Sequence, residues 1–195
     1  MQLIVLRHGA THWNIDRRIQ GHADLSLAPA GRAQVASWRL PPNWLKLPCL
    51  ASPLRRALET ASLLGFADLN AVPELIEMDW GRFEGSTLAE LRAMGGHEFA
   101  ANEAAGLDFR PLDGESPREV MTRLSRWLAS LPDREGQIVI ITHKGVRRAL
   151  LAHATGWDMR GPPPIKVLDE HAMLLDLRPG GQAILHSLHW LEASK

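Results

Sequence analysis

The sequence predicts an α/β fold in which helices alternate with the strands of a mostly parallel sheet, and an antiparallel member lies near one edge. Three observations carry this. "QLIVLRH" (2–8) and "QIVIITH" (137–143) are near-continuous apolar runs rich in β-branched residues, the pattern of strands covered on both faces in a parallel sheet. "AMLLDLRPGGQAILHSLH" reads as two strands about a Gly-Gly turn, a hairpin that supplies the antiparallel member. Between the strands lie helix signals, the clearest at Ser116, where "SPRE" offers an N-cap, Pro at the first helical position and Glu119 to close a capping box.

Each further element follows from the same rules. After Ser116, Val120, Leu124, Trp127, Leu128 and Leu131 line one helical face. A second helix is expected from Ser52-Pro53 with Leu54, Leu58, Ala61 and Leu64 facing inward, and a third from about 145 to a stop at Gly156. Shorter strands are expected at 48–51 and 72–77. No repeat or low-complexity tract interrupts the pattern, so residues 1–195 are expected to form a single domain.

Composition narrows the function. The chain has 195 residues, 45% of them hydrophobic, enough for one sizeable core. Its 22 basic residues balance 22 acidic ones, so no global field draws it to nucleic acid or to an anionic membrane, and any anion site must be local. Cys49, the one cysteine, reads as a small buried hydrophobe and fits a reducing compartment. The N-terminal apolar run is too short for a signal peptide, and no run approaches a membrane span, so a cytoplasmic location is expected. A homodimer is left open.

The chemistry gathers at the strand ends. His8 and His143 each close a predicted buried strand and precede a glycine-containing turn, and in such folds ligands bind beyond the carboxyl ends of the strands. Arg7 precedes His8, Arg56 falls in the first turn of the helix after strand 48–51, and Glu77 ends strand 72–77, so all should reach one edge. Two guanidiniums can hold phosphoryl oxygens bidentately, a neutral imidazole can attack phosphorus, and a carboxylic acid can protonate the leaving oxygen. The Arg charges would also lower the proton affinity of a neighbouring His and keep its nitrogen free.

At this point "LRHGATHWN", "RRIQGHADLSL", "ASPLRRALETA", "ELIEMDWGRFEG", "GES" (114–116) and "ITHKGVRRAL" together resemble the motifs of the histidine phosphatase superfamily, also called phosphoglycerate mutase-like, in family order over nearly the whole chain. The resemblance implies a three-layer α/β/α sandwich and chemistry without a metal or other cofactor. It implies that His8 is the nucleophile that becomes phosphohistidine, and that Arg7 and Arg56 bind the phosphate. It places His143 on the transferring group, Glu77 as proton donor, and Asn14 and Gln20 at the phosphate rim. Gly9 and Lys144 complete the expected substrate-binding set. Two departures stand out: Ala10, where the family usually has Glu or Gln, and Lys144, where a second Gly is common after the histidine. Lys144 then either adds a cation to the pocket or points outward.

Other readings stand beside these. His12 and His22 with His8 would make a zinc set only on a helix, which the preceding strand and Gly9 argue against. Asp79 and Glu84 are rival acids to Glu77, while Glu84 and Glu115 can equally be structural. Trp13 and Trp80 can flank the mouth of the site. Residues 81–115 should form a mostly helical lid with Arg82, Arg92 and Arg110 scattered rather than paired, so that water reaches the intermediate and hydrolysis is favoured. The expected activity is therefore hydrolysis of a small-molecule phosphate ester, with the α-ribazole phosphatase branch as one home. The alternatives are a phosphoglycerate mutase and a binding or regulatory module without turnover.

Overall fold

The computed structural model describes residues 1–132 and 135–193, the last two by their backbone alone. In chain order the strands and helices are β1 (Gln2–Arg7), α1 (His12–Ile15), α2 (Pro29–Ser37), β2 (Trp38–Arg39), β3 (Cys49–Ala51), α3 (Arg55–Leu64), β4 (Leu69–Ala71), α4 (Leu88–Glu103), α5 (Pro117–Ser130), β5 (Gln137–Thr142), α6 (Lys144–Thr155), β6 (His171–Leu177), β7 (Ala183–Trp190) and β8 (Glu192–Ala193).

Six strands form the main sheet in the order β4-β3-β5-β1-β6-β7. β1 pairs in parallel with β5, and β3 in parallel with β4 and β5, whereas β6 runs antiparallel to both β1 and β7. The antiparallel member thus sits next to the edge strand with which it forms the expected hairpin. Alternation along β1 and β5 divides the core into two layers. Leu3, Val5, Ile138 and Ile140 pack with α5, α6 and the lid, while Ile4, Leu6, Val139 and Ile141 pack with α2 and α3. This is the three-layer sandwich.

The expected helices form, with boundaries set by their caps. Ser116 and Glu119 make the capping box that starts α5, whose buried face is Val120, Leu124, Trp127 and Leu128. α6 stops at Gly156, which adopts φ 73° as a left-handed C-cap. α3 begins at Arg55 rather than at Ser52, because Ser52 and Pro53 make the approach turn and the Ser52 hydroxyl accepts the Leu54 N–H at 3.3 Å. The lid is helical as expected, built on α4, and Phe99 and Phe109 join the core on the α5/α6 side.

One expected strand moves. The edge strand is β4 at 69–71, and 72–77 is not a strand: Val72 still donates to Ala51 O at 2.8 Å, but Pro73 has no N–H to continue the ladder and opens a 3-10 turn over Pro73–Leu75. Three elements were not anticipated, the first being the short α1 at His12–Ile15, where Gly9 and the preceding strand argue against a helix and Thr11 nonetheless caps one. The small β2/β8 pair forms apart from the main sheet, and α2 docks on the loop that follows β1. Among the described residues no helix is long and apolar enough to cross a membrane.

The docking of α2 depends on Gly31, where an added Cβ would lie 1.9 Å from Ala10 O. That oxygen belongs to backbone and cannot step aside as a side chain would. Gly31→Ala is therefore expected to cost about 1–3 kcal/mol in denaturant unfolding. An unchanged unfolding midpoint would contradict this contact.

Candidate active site

At the carboxyl ends of β1, β3 and β5 opens a cavity of about 680 Å³, whose lining includes Arg7, His8, Asn14, Gln20, Arg56, Glu77, Lys144 and Asp169. His8 follows β1 directly, and its backbone N–H donates to Thr142 O at 2.9 Å, so the sheet itself fixes where the ring begins. The ring Nδ1 donates to Gly9 O at 2.7 Å, which leaves Nε2 with its lone pair. Burial, then the charges of Arg7 and Arg56, hold the His8 pKa well below its ordinary 6.5. A neutral imidazole with a free Nε2 is a nucleophile.

Arg56 has no solvent exposure. Its Nη1 donates to Ala23 O at 2.7 Å, its Nη2 to Gly21 O at 2.8 Å and its Nε to His143 Nδ1 at 3.2 Å. Burial pulls its pKa down, opposed mainly by the negative charges of Glu77 and Asp24. Because an arginine only donates, His143 Nδ1 must accept, so Nε2 carries the proton and donates to Ser52 Oγ at 2.7 Å. Burial and the neighbouring His8 and Arg56 charges keep the His143 pKa well below 6.5.

These bonds fix where the His143 ring stands. It is fully buried, it does not line the cavity, and both ring nitrogens are engaged by protein groups. Its ring centroid lies 5.0 Å from that of His8, and its Nδ1 takes the Arg56 Nε–H. Gly9 is likewise held by protein contacts. Its N–H donates to Thr60 Oγ1 at 3.0 Å and a Cβ there would lie 2.5 Å from Val35 Cγ2, so it allows the close packing of the loop.

Glu77 arrives by a route other than the end of a strand. Arg123 on α5 donates to the carbonyls of Glu74 and Ile76, and His22 Nε2 donates to Glu77 O at 2.8 Å, which fixes the 74–77 backbone outside the sheet. The Glu77 carboxyl then accepts Met78 N–H at 2.8 Å and Gly145 N–H at 3.1 Å at the start of α6. Among the three acids lining the cavity, Glu103 pairs with Arg92 and Asp169 with Arg7, whereas Glu77 has no ion pair among the described residues.

The rival acids are committed elsewhere. Glu84 accepts the backbone N–H groups of His22 at 2.6 Å and Ala23 at 3.2 Å, bracing the loop that Arg56 holds from its other side. Asp79 accepts Gly81 N–H at 2.7 Å, and Glu115 pairs with Arg123 at 2.9 Å. Asn14 Oδ1 accepts Thr11 N–H at 3.0 Å and Gln20 Oε1 accepts the Thr11 hydroxyl at 2.9 Å, so both amides have their oxygens turned to Thr11 and keep their NH₂ groups for the cavity. Trp80 lines the cavity, but Trp13 packs over Gly85. His12 is exposed on α1 and His22 is bound to Glu77 O, so neither joins His8.

Lys144 does line the cavity, on its exposed rim. Burial of part of its surroundings, then the Arg7 charge, pull its pKa down. Sequence reasoning missed Asp169, which binds Arg7 Nη1 from a loop 162 residues along the chain. It also missed Arg147, whose Nη2 donates to Leu168 O at 3.0 Å and His171 O at 2.9 Å and so pins that loop. No spacing motif links these groups.

A three-layer α/β/α domain thus gathers two neutral histidines and two arginines at its strand ends. The chain belongs to the histidine phosphatase superfamily (branch 1), whose family model matches residues 3–188. It is 32% identical over 162 residues to Phosphoglycerate mutase-like protein 4 of Arabidopsis thaliana, a match covering 78% of this chain and 70% of that protein. It is 33% identical over 173 residues to a Glucosyl-3-phosphoglycerate phosphatase of Mycolicibacterium vanbaalenii, covering 80% and 74%. The crystal structure of TTHB049 from Thermus thermophilus superposes with a TM-score of 0.74 at 32% identity, covering 98% of this chain and all of that one.

The two buried imidazoles make stability depend on pH. Both are neutral when folded, but in the unfolded chain they titrate near 6.5, so below that pH protons bind the unfolded state preferentially. Stability is expected to fall as pH drops through 6.5 towards the lowered folded values, and His143→Gln should flatten this slope. Unfolding midpoints in urea at about pH 7.5 and about pH 5.5 read it out, and an identical slope in the variant would contradict it.

Proposed function

We propose that this protein is a phosphomonoesterase that hydrolyses small phosphate esters through a phosphohistidine on His8. The observation that carries the reading is the state of Arg7: Asp169 takes Nη1, while Nε is buried with no partner among the described residues. The Nε/Nη2 edge therefore presents a two-donor fork beside His8, the shape that binds a phosphoryl group bidentately. In this reading His8 Nε2 attacks phosphorus, the ester oxygen leaves, and Glu77 gives it a proton. Water then attacks the phosphohistidine, Glu77 recovers its proton from that water, and inorganic phosphate departs. The Nδ1–H···O=C bond to Gly9 supports the charge that develops on the His8 ring.

The cations that this chemistry requires are supplied by Arg7 and Arg56, so the proposed reaction uses no metal or other cofactor. Hydrolysis is favoured over a mutase because the lid arginines are already neutralised: Arg82 pairs with Asp113, Arg92 with Glu103 and Arg110 with Glu119. The relative named as a phosphatase supports the same choice. A binding module without turnover would have no use for a carboxyl in the same cavity as His8 that is left without an ion pair among the described residues.

The test is steady-state turnover of a phosphate-ester panel in EDTA. Wild type should turn over many times and His8→Ala should lose at least about a thousandfold. Glu77→Gln should lose far more rate on alkyl phosphates than on p-nitrophenyl phosphate, because a good leaving group needs little protonation. Near wild-type rates for His8→Ala would overturn the mechanism, and phosphate exchange between glycerate positions would establish a mutase instead.

A further inference from the structure

The cavity is much larger than a phosphate needs, and its remaining walls divide by chemistry. At about 680 Å³ it is of the size that encloses a drug-like ligand. Its apolar wall includes Met78, Trp80, Leu88, Phe109 and Met159, with the Trp80 and Phe109 rings 5.4 Å apart. α6 supplies a different wall. Lys144 and Arg148 lie four residues apart on that helix, both line the cavity, and neither side chain makes a hydrogen bond or ion pair among the described residues.

Such a pair is unfavourable in isolation. Like charges at this spacing destabilise a helix by about 0.2–0.5 kcal/mol; Arg7 is matched by Asp169 and the lid arginines by their own acids, whereas Arg17 and Arg18, which line another part of the cavity, share with Lys144 and Arg148 the lack of an ion pair among the described residues. Lys144 feels the positive charges of both Arg7 and Arg148, opposed by Asp169 and Glu77, and all three cations line the same cavity. Arg148 is held in place by the Trp157 ring, 4.8 Å beneath its guanidinium carbon.

We infer that Lys144 and Arg148 form a second anion subsite, and that the natural substrate is a phosphomonoester of a bulky, partly apolar alcohol carrying a second acidic group. The phosphate occupies the Arg7 fork, the second acid lies between Lys144 and Arg148, and the body of the alcohol packs on the Trp80/Phe109 side. This rests on the phosphomonoesterase reading.

The test compares 2-naphthyl phosphate with 6-carboxy-2-naphthyl phosphate, and adds 3-phosphoglycerate as a small acidic ester. Wild type should favour the carboxylated naphthyl ester over the plain one by about tenfold in kcat/KM, mainly through KM, and should favour it over 3-phosphoglycerate. In K144M/R148Q the carboxylated-to-plain ratio should fall to about one, whereas Lys144→Arg, which keeps the charge, should retain it. Equal use of the two naphthyl esters by wild type, a ratio unmoved in K144M/R148Q or a preference for 3-phosphoglycerate would overturn the subsite and leave the phosphatase reading intact. Absence of turnover on every ester would instead overturn the phosphatase reading, and this inference with it.

Discussion

A guanidinium without solvent exposure organises this site. Burying the charge of Arg56 is costly unless its donors are matched, and they are matched by groups that the site needs to place. Two are the carbonyls of Gly21 and Ala23, which hold the loop carrying Gln20, and one is Nδ1 of His143. That last bond selects the His143 tautomer, turns its Nε2–H to Ser52, and so ties β3, β5 and the 20–24 loop into one unit. Glu84 reinforces the same loop from the other side, and Gly21 leaves the space that its carboxylate fills, since a Cβ there would lie 1.9 Å from Glu84 Oε1.

Charge at the front of the site follows from this frame. Burial and the two arginines keep His8 neutral, while Gly9 O turns the single ring proton away from the cavity. Asp169 takes one end of Arg7 and leaves its buried Nε without a partner among the described residues. Of the acids in the lining, only Glu77 escapes an ion pair among the described residues, and it stands at the first turn of α6 in the same cavity as His8. His8 and Arg7 are thus held together at the end of β1, Asp169 reaches Arg7 from a loop, and Glu77 stands on a separate braced segment.

What was legible in the sequence was what local rules encode. The β-branched runs of β1 and β5 put His8 and His143 at strand ends, and Ser116 with Glu119 announced α5. The position of Glu77 at the site was foreseen, but the strand that was to carry it was not formed, because Pro73 ends the ladder and Arg123, from a distant helix, holds the segment instead. α2 went unseen because only Gly31 and Val35 of it are buried, too thin a stripe for a periodicity signal. Asp169 and Arg147 act through contacts that span the chain or reach backbone carbonyls, and neither leaves a pattern in sequence spacing. The strand end that carries His143 is legible, but the place of its ring behind Arg56 depends on the Ser52 bond, a tertiary contact.

The central claim is that the phosphoryl group rests on His8 between two half-reactions. Brief reaction with a ³²P-labelled monoester, an alkaline quench and proteolysis would locate it directly. The account predicts label on the peptide containing His8, stable in alkali and lost in acid, as a phosphoramidate should be. Turnover with no labelled protein at any time, or label on a different residue, would contradict it.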